Sequence, residues 1–324
     1  MSTPALTAMV HAMRHEAHGI LSLELRPAEG APAFPPFTAG AHVDLHLPNG
    51  LVRSYSLLNS QDERQCYVVG VLDDRNSRGG SRYVHEQLRV GACVPISAPR
   101  NNFGLDETAP LSVLVAGGIG ITPMLSMLER LAALGKRAEL VYCARSRREA
   151  AFVARIEAIA RAAEVRVSWH FDDERGAPPR LDDLLAGRPA DTHFYCCGPG
   201  PMLDAFERAC AAHGYRHCHI ERFAAAPGAG APALAQGSYR VELRRSGKTL
   251  EVAAGASLLD TLLQAGVQQD FSCREGVCGS CETRVLAGEV DHRDSILGKA
   301  ERAANKTMMV CVSGCRKGPL VLDL

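Results

Sequence analysis

Over the first hundred residues apolar and polar positions alternate in short stretches, as in His42-Val43-Asp44-Leu45-His46-Leu47 and Cys66-Tyr67-Val68-Val69-Gly70-Val71, cut by turns such as Pro48-Asn49-Gly50. Alternation of period two between Pro/Gly turns predicts half-buried strands, and several in succession predict a small antiparallel β-barrel. One helix is expected inside it, from Ser81 to Arg89, directly after Gly79-Gly80. From Leu111 the pattern changes to apolar runs at Leu111–Ala116, Glu139–Ala144, Val165–Phe171, His193–Cys197 and His217–Phe223, separated by helical stretches. That alternation predicts an α/β domain with a doubly wound parallel sheet. Phe152, Ile156 and Ile159, and Met202, Ala205, Phe206 and Ala209, recur at helical spacing and are expected to face the sheet.

Residues 224–237 are small, uncharged and rich in Pro and Gly, a composition that suits a linker and supports no core. After them come strands at Tyr239–Leu243 and Thr249–Ala253. A helix follows, opened by Ser257 with Asp260 as a capping-box pair and closed by Gly266. The expected organisation is multidomain: an antiparallel barrel over 1–105, an α/β domain over 106–226, a linker over 227–237 and an α+β domain over 238–324.

Composition narrows the function without naming it. The 324 residues exceed one usual domain, and 46% hydrophobic with 22% charged residues is too apolar for disorder. There is no apolar run of spanning length and no charged-then-apolar leader at the amino terminus, which predicts a cytoplasmic protein independent of membrane. The 36 basic residues balance 36 acidic ones, so the whole-molecule field does not draw nucleic acid or lipid. Five of the twelve cysteines crowd between Cys273 and Cys315, which reads as metal ligation, whereas the other seven are scattered, most of them in apolar segments where a free thiol behaves as a small hydrophobe.

The crowded cysteines are Cys273, Cys278 and Cys281 in Cys-Arg-Glu-Gly-Val-Cys-Gly-Ser-Cys, with Cys311 further on. C-x4-C-x2-C with a distant fourth cysteine is the plant-type ferredoxin spacing. The chemistry needs four thiolates around two irons and a loop tight enough to aim N–H groups at the sulfurs, and Gly276 and Gly279 relieve such a turn. Four cysteines also suit structural zinc, although zinc sites present paired C-x2–4-C knuckles. Cys315 competes with Cys311 as fourth ligand; Cys311 is favoured by its apolar run Met308-Met309-Val310-Cys311-Val312. From Tyr239 to Leu324 the chain resembles the plant-type ferredoxin domain. The resemblance implies a β-grasp-like α+β fold and a 2Fe-2S cluster on Cys273, Cys278, Cys281 and Cys311.

Arg53-Ser54-Tyr55-Ser56 resembles the Arg-x-Tyr-Ser flavin motif of the ferredoxin-NADP reductase superfamily. The resemblance implies that Tyr55 packs on the isoalloxazine and Ser56 hydrogen-bonds near its reactive nitrogen. Ser77-Arg78-Gly79-Gly80-Ser81 precedes a helix, so Gly79, Gly80 and Ser81 offer N–H groups, a dipole and a hydroxyl to a flavin phosphate. Arg78 and Arg82 stand ready to add charge or to lie solvated. Gly117-Gly118-Ile119-Gly120-Ile121-Thr122-Pro123 joins a strand to a helix, with Thr122 expected as N-cap and Pro123 as first helical residue. It is similar to the superfamily's nicotinamide motif Gly-Gly-x-Gly-x-Thr-Pro. Cys197-Gly198-Pro199-Gly200-Pro201-Met202 is similar to its Cys-Gly-Pro-x-x-Met signature, at the sheet edge where ligands bind. By the same resemblance Ser56, Thr122 and Cys197 lie at the hydride-transfer site, Gly198, Pro199 and Met202 line the nicotinamide, and Glu221 and Phe223 adjoin the flavin. His217 and His219 alternate on a strand and carry no role in this pattern.

Across the whole chain this order of domains resembles the phthalate dioxygenase reductase family, including vanillate demethylase reductases. The resemblance implies FMN, NADH, a 2Fe-2S cluster and, as electron acceptor, a Rieske-type terminal oxygenase acting on an aromatic or similar small substrate. A nicotinamide gives up two electrons as hydride and a cluster takes one, so a flavin must stand between them. Arg145, Arg147 and Arg148 follow the second parallel strand, where a 2′-phosphate would lie, which leaves NADPH open. FAD in place of FMN, a di-iron or haem acceptor, and a redox sensor without turnover stay open at this level.

Overall fold

A computed structural model of the protein describes residues 6–75, 77–163, 165–224 and 237–324. Apart from Gly237, the expected linker at 227–237 lies outside the described residues. The chain divides into two compact units, one ending at Glu221 and the other running from Arg222 to Leu324.

The first unit opens with β1 (Leu6–Ala17), β2 (Ile20–Pro27), β3 (His42–His46), β4 (Val52–Ser56), β5 (Tyr67–Leu72), α1 (Gly80–Glu86) and β6 (Cys93–Ile96). The six strands form an antiparallel sheet in the order β4-β3-β6-β1-β2-β5. Its edges meet just past β4, where Leu57 bridges Val69 and Leu58 N–H donates to the Val68 carbonyl at 2.9 Å. The sheet curls because one face is apolar throughout: Val10, Leu23, Leu25, Val43, Leu45, Val69, Val71 and Ile96 meet inside it. Helix α1 is shorter than the sequence pattern predicts. Leu88 N–H turns back to the Tyr83 carbonyl, and the Arg89 guanidinium donates to the carbonyls of Glu86 and Leu88, which ends the helix before Arg89.

The same unit continues with β7 (Ser112–Gly117), α2 (Ile121–Ala133), β8 (Ala138–Ala144), α3 (Val153–Ala163), β9 (Arg166–Phe171), α4 (Asp172–Arg175), α5 (Leu181–Leu185), β10 (His193–Cys197), α6 (Gly200–Ala212) and β11 (His217–Glu221). These strands form a parallel sheet in the order β11-β10-β7-β8-β9. Helices α2 and α3 cover one face and α5 and α6 the other. The chain reverses its winding between β7 and β10, and ligands of such sheets bind where that happens. The barrel and this sheet share a core: Ala17, Ile20, Ala39 and Leu58 pack in one cluster with Phe103, Met124, Leu128 and Phe152. The Arg155 guanidinium on α3 donates to the Leu58 carbonyl at 3.2 Å, and His18 N–H to that of Arg148 at 2.9 Å.

The second unit contains β12 (Tyr239–Leu243), β13 (Thr249–Val252), α7 (Leu258–Gln264), β14 (Glu282–Asp291), α8 (Lys299–Ala304), β15 (Thr307–Met309) and β16 (Gly314–Leu322). Its sheet runs β13-β12-β16-β14-β15, with β12 and β16 parallel and the other pairs antiparallel. Helix α7 begins as the sequence pattern implies: Ser257 Oγ accepts Asp260 N–H at 3.0 Å and donates to the Asp260 carboxylate at 2.7 Å. Gly266 follows the helix at φ 72°, a left-handed exit that suits glycine. This is the fold of a plant-type ferredoxin domain.

Phe103 is 3% exposed and meets Tyr195 edge-on at 5.8 Å in the core shared by the barrel and the parallel sheet. Replacing it with Ala should cost the first unit about 3–5 kcal/mol. Urea unfolding followed by the fluorescence of Trp169, the sole tryptophan and part of β9, measures this; a change below about 1 kcal/mol, small for any buried aromatic, would contradict it.

Candidate functional site

The carboxyl ends of β7 and β10 approach so closely that only glycine fits. A Cβ on Gly120 would lie 2.1 Å from the Cys197 carbonyl oxygen, and one on Gly117 would lie 2.5 Å from Met202 Sδ and 2.8 Å from Pro199 Cδ. The two glycine-bearing motifs are therefore one surface. Gly118 takes φ 54° and opens a 3-10 turn over Gly118–Gly120, so helix α2 starts at Ile121 with Gly120 as its N-cap. This corrects the expected cap. Thr122 is inside the first turn, buried, and donates its hydroxyl to the Ile119 carbonyl at 3.0 Å instead of accepting an N–H. Pro123 follows it as the third helical residue, where a missing N–H still costs nothing. The Thr122 methyl packs over Gly70 of β5, where a Cβ would come within 2.7 Å, and so ties the turn to the barrel.

Cys197 ends β10 with no exposure, paired in register with Ala116 on one side and Glu221 on the other. Burial, and next the neighbouring Glu221, push its thiol well above the ordinary range. Cys196 faces the opposite, apolar side of the sheet. The Glu221 carboxyl is pushed up to about 8 by burial, which the facing Ser56 hydroxyl offsets only in part. Glu221 Oε2 and Ser56 Oγ are both buried without a well-formed hydrogen bond among the described residues. A neutral acid, a buried hydroxyl and a buried thiol thus surround one point at the switch of the sheet. Phe223 lies past Glu221 in the second unit and is 44% exposed.

The barrel contributes β4. Ser54 Oγ donates to Asp44 Oδ1 at 2.6 Å, and Arg100 Nη2 to Asp44 Oδ2 at 2.7 Å. Burial alone would raise the Asp44 carboxyl, but the Arg100 charge and the Ser54 hydrogen bond outweigh it and hold it below its ordinary value. Asp44 and Arg100 are absent from the sequence-level site; an acid set between Val43 and Leu45 and alternating with His42 and His46 is the available signal. Tyr55 is largely buried, which pushes its phenol up to about 12. Arg53 lies across the start of α1, its Cγ and Nε each 2.6 Å from where a Cβ on Gly80 would sit. Gly79 adopts φ 94°. The Ser77 hydroxyl accepts from Gly79 N–H at 3.2 Å and from Arg82 N–H at 3.4 Å, and Ser81 Oγ donates to it at 2.9 Å. Ser77 therefore gathers the N–H groups of this turn, with Ser81 bonded to it.

Of the three arginines after β8, Arg147 pairs with Glu174 at 2.5 Å and stacks over Phe171 at 4.6 Å, and Arg148 meets His18 Nδ1 at 3.1 Å. Asp172, Asp173 and Glu174 crowd the first turn of α4 beside them.

In the second unit the loop from Cys273 to Cys281 folds around its own sulfurs. Arg274, Gly276 and Gly279 take φ of 58°, 69° and 74°. Arg274 is held in that strained form by Asp260 at 2.9 Å and by stacking on Phe271 at 4.6 Å. Glu275 N–H points at Cys273 Sγ at 3.3 Å and Cys273 N–H at Cys278 Sγ at 3.5 Å. Val277 N–H also serves Cys273, Ser280 N–H serves Cys278, and Gly276 N–H serves Cys311. The hydrogen bond from Cys273, then the Ser280 hydroxyl and the N–H groups of Cys273 and Ser280, outweigh burial and hold the Cys278 thiol below its ordinary value. Cys281 and Cys311 Sγ lie 3.1 Å apart, whereas the Cys315 thiol on β16 turns to the Gly318 carbonyl at 2.7 Å. Convergent N–H donors on deprotonatable thiols are what a 2Fe-2S cluster requires of its loop, so the residues present fit that group.

Residues 241–316 match the family described as 2Fe-2S iron-sulfur cluster binding domain, and residues 114–208 the oxidoreductase NAD-binding domain. The chain is 48% identical to the phenoxybenzoate dioxygenase subunit beta of Ectopseudomonas oleovorans over 97% of its own length and 96% of that protein's. It is similar to the crystal structure of phthalate dioxygenase reductase, described as a modular structure for electron transfer from pyridine nucleotides to 2Fe-2S, with 37% identity, a TM-score of 0.69 and 98% of each chain covered. It also resembles an intact type IV self-sufficient cytochrome P450 monooxygenase at 39% identity and a TM-score of 0.88, matching 98% of this chain but spanning only 41% of that one. No helix among the described residues is long and apolar enough to cross a membrane.

Because the folded protein keeps the Glu221 proton up to about pH 8 while an unfolded acid loses it near 4.5, this residue's contribution is fully present below 4.5 and is lost as pH rises through 8. Glu221→Gln should therefore raise thermal stability relative to the parent increasingly between those two values and level off above. Melting curves across that window measure it; a difference independent of pH would contradict the assignment.

Proposed function

The chain belongs to the phthalate dioxygenase reductase family, which includes the vanillate O-demethylase oxidoreductases, and from that premise we propose that it oxidises NADH and passes single electrons to a Rieske-type terminal oxygenase. It is an oxidoreductase with an NAD-binding and a 2Fe-2S domain, the reductase component of an aromatic oxygenase system. The acceptor's substrate is an aromatic or similar small molecule, and the reaction runs in the cytoplasm. The observation that carries the reading is the single surface made by Gly117–Gly120 and Cys197–Met202, adjoining Ser56 and Glu221, in a chain that also bears the four-thiol loop.

Bound FMN and a 2Fe-2S cluster supply the conversion of one hydride into two separate electrons. The residues' own work is positioning. Arg53, Ser54, Tyr55 and Ser56 on β4, backed by Asp44 and Arg100, present a rigid strand to the flavin ring. Gly79, Gly80 and Ser81, organised by Ser77, present N–H groups to its phosphate. Gly117, Gly118 and Gly120 let the dinucleotide approach the start of α2, while Thr122 and Pro123 hold that turn and Cys197, Gly198, Pro199 and Met202 wall the nicotinamide. The neutral Glu221 keeps negative charge away from the point where hydride arrives. Cys273, Cys278, Cys281 and Cys311 hold the cluster. The carboxylates Asp172, Asp173 and Glu174 repel a 2′-phosphate, and Arg147 is already paired, which supports NADH over NADPH.

A haem protein is the second reading for the acceptor, favoured by the likeness to the reductase part of a P450 monooxygenase. Reconstitution with a Rieske oxygenase and with a P450, each scored by NADH-dependent product formation, separates the two. Cys278→Ser should lower cytochrome c reduction by about a hundredfold or more while leaving flavin bleaching by NADH intact, an order-of-magnitude expectation for loss of an obligatory carrier. Stopped-flow absorbance checks it; a variant that still reduces cytochrome c at the parent rate would sink the proposed route.

A further inference from the structure

The parallel-sheet region holds a second pair of cysteines that neither the nicotinamide site nor the iron-sulfur loop uses. Cys210 lies in the last turn of α6 and Cys218 is the second residue of β11. Both pack into the apolar cluster around Phe194, Leu203 and Phe206, where the Cys210 thiol faces that of Cys218. The connection between them is closed. Tyr215 N–H donates to the Cys210 carbonyl at 3.0 Å, the Tyr215 ring lies 4.4 Å from Phe194, and Cys218 Sγ is 3.8 Å from the Tyr215 carbonyl.

The two thiols differ in access. Cys210 is 3% exposed, whereas Cys218 is half-buried on the outermost strand of the sheet. A reachable thiol bonded to a buried second one is the arrangement in which the first meets an oxidant and the second resolves the product. The hydrogen bond from Cys210 also holds the Cys218 thiol below its ordinary value while raising its own, in keeping with those roles.

We propose that Cys210 and Cys218 form a reversible oxidation site that closes to a disulfide on exposure to hydrogen peroxide. The Cys218 thiolate attacks one peroxide oxygen and the O–O bond breaks, giving a sulfenic acid and one water. Cys210 sulfur then attacks the Cys218 sulfur, the S–O bond breaks, the S–S bond forms and a second water leaves. Both thiol protons end in water; two sulfurs are oxidised and one peroxide is reduced. Closure draws the sulfurs in to about 2.05 Å and pulls on β11 at Cys218. Glu221 stands three residues further along that strand, beside Cys197 and Ser56. The pull therefore slows the reaction with NADH, a consequence that rests on the function proposed above, whereas the linkage itself does not.

The test uses the full-length protein with flavin and cluster bound, treated with peroxide at a dose that leaves the visible spectrum of the cluster unchanged, then alkylated and mapped by peptide mass. The peptides bearing Cys210 and Cys218 should be recovered joined, and dithiothreitol should release them. Flavin reduction by NADH should fall several-fold and recover with the reductant. In Cys210→Ser the joined species should vanish and Cys218 should pass on to sulfinic acid, without recovery. Two free, alkylated thiols after treatment, or Cys218 oxidised alone in the parent chain, would overturn the site. A reversible link with an unchanged NADH reaction would keep the site and overturn its coupling to Glu221.

Discussion

The geometry of the first unit depends on two backbone turns meeting without side chains between them. At the carboxyl ends of β7 and β10 the chain passes close enough that the missing Cβ atoms of Gly117 and Gly120 are the space in which Pro199, Met202 and the Cys197 carbonyl sit. Remove that contact and the start of α2 separates from the end of β10. The barrel would then lose one of its ties to the sheet, because Thr122 reaches from the same turn to Gly70. A dense interior transmits such a displacement rather than absorbing it.

Around that contact the charges are arranged by burial more than by pairing. Glu221 is neutral because water is excluded and little replaces it, whereas Asp44, also buried, stays ionised because Arg100 and Ser54 take the place of water. One acid supplies a site free of charge; the other supplies a fixed anchor for β4. Two carboxyls in one unit acquire opposite states from their neighbours alone.

Much of this is legible along the chain. The barrel and the parallel sheet follow from periodicity, and the four-thiol spacing from a local motif. Of the third sheet only β12 and β13 are read from the pattern, and its class comes from the resemblance to a ferredoxin domain. Thr122 reads as a cap in the sequence, but Gly118 can take φ 54°, so a 3-10 turn starts early and moves the helix start back to Ile121. The work of Ser77 in the turn before α1 is likewise set by the fold, which turns its hydroxyl to the N–H groups of Gly79 and Arg82. Asp44 with Arg100, and Cys210 with Cys218, meet across separate elements. No spacing rule reveals such pairs, since their contact is set by tertiary packing.

The placement of β16 has a consequence for how the protein is made. It is the last strand of its sheet in chain order, yet it lies in the middle, parallel to β12 on one side and antiparallel to β14 on the other. During synthesis the β12–β13 and β14–β15 pairs therefore have no strand to join them until β16 emerges from the ribosome. The first unit, whose strands are all complete by Glu221, is free to fold beforehand.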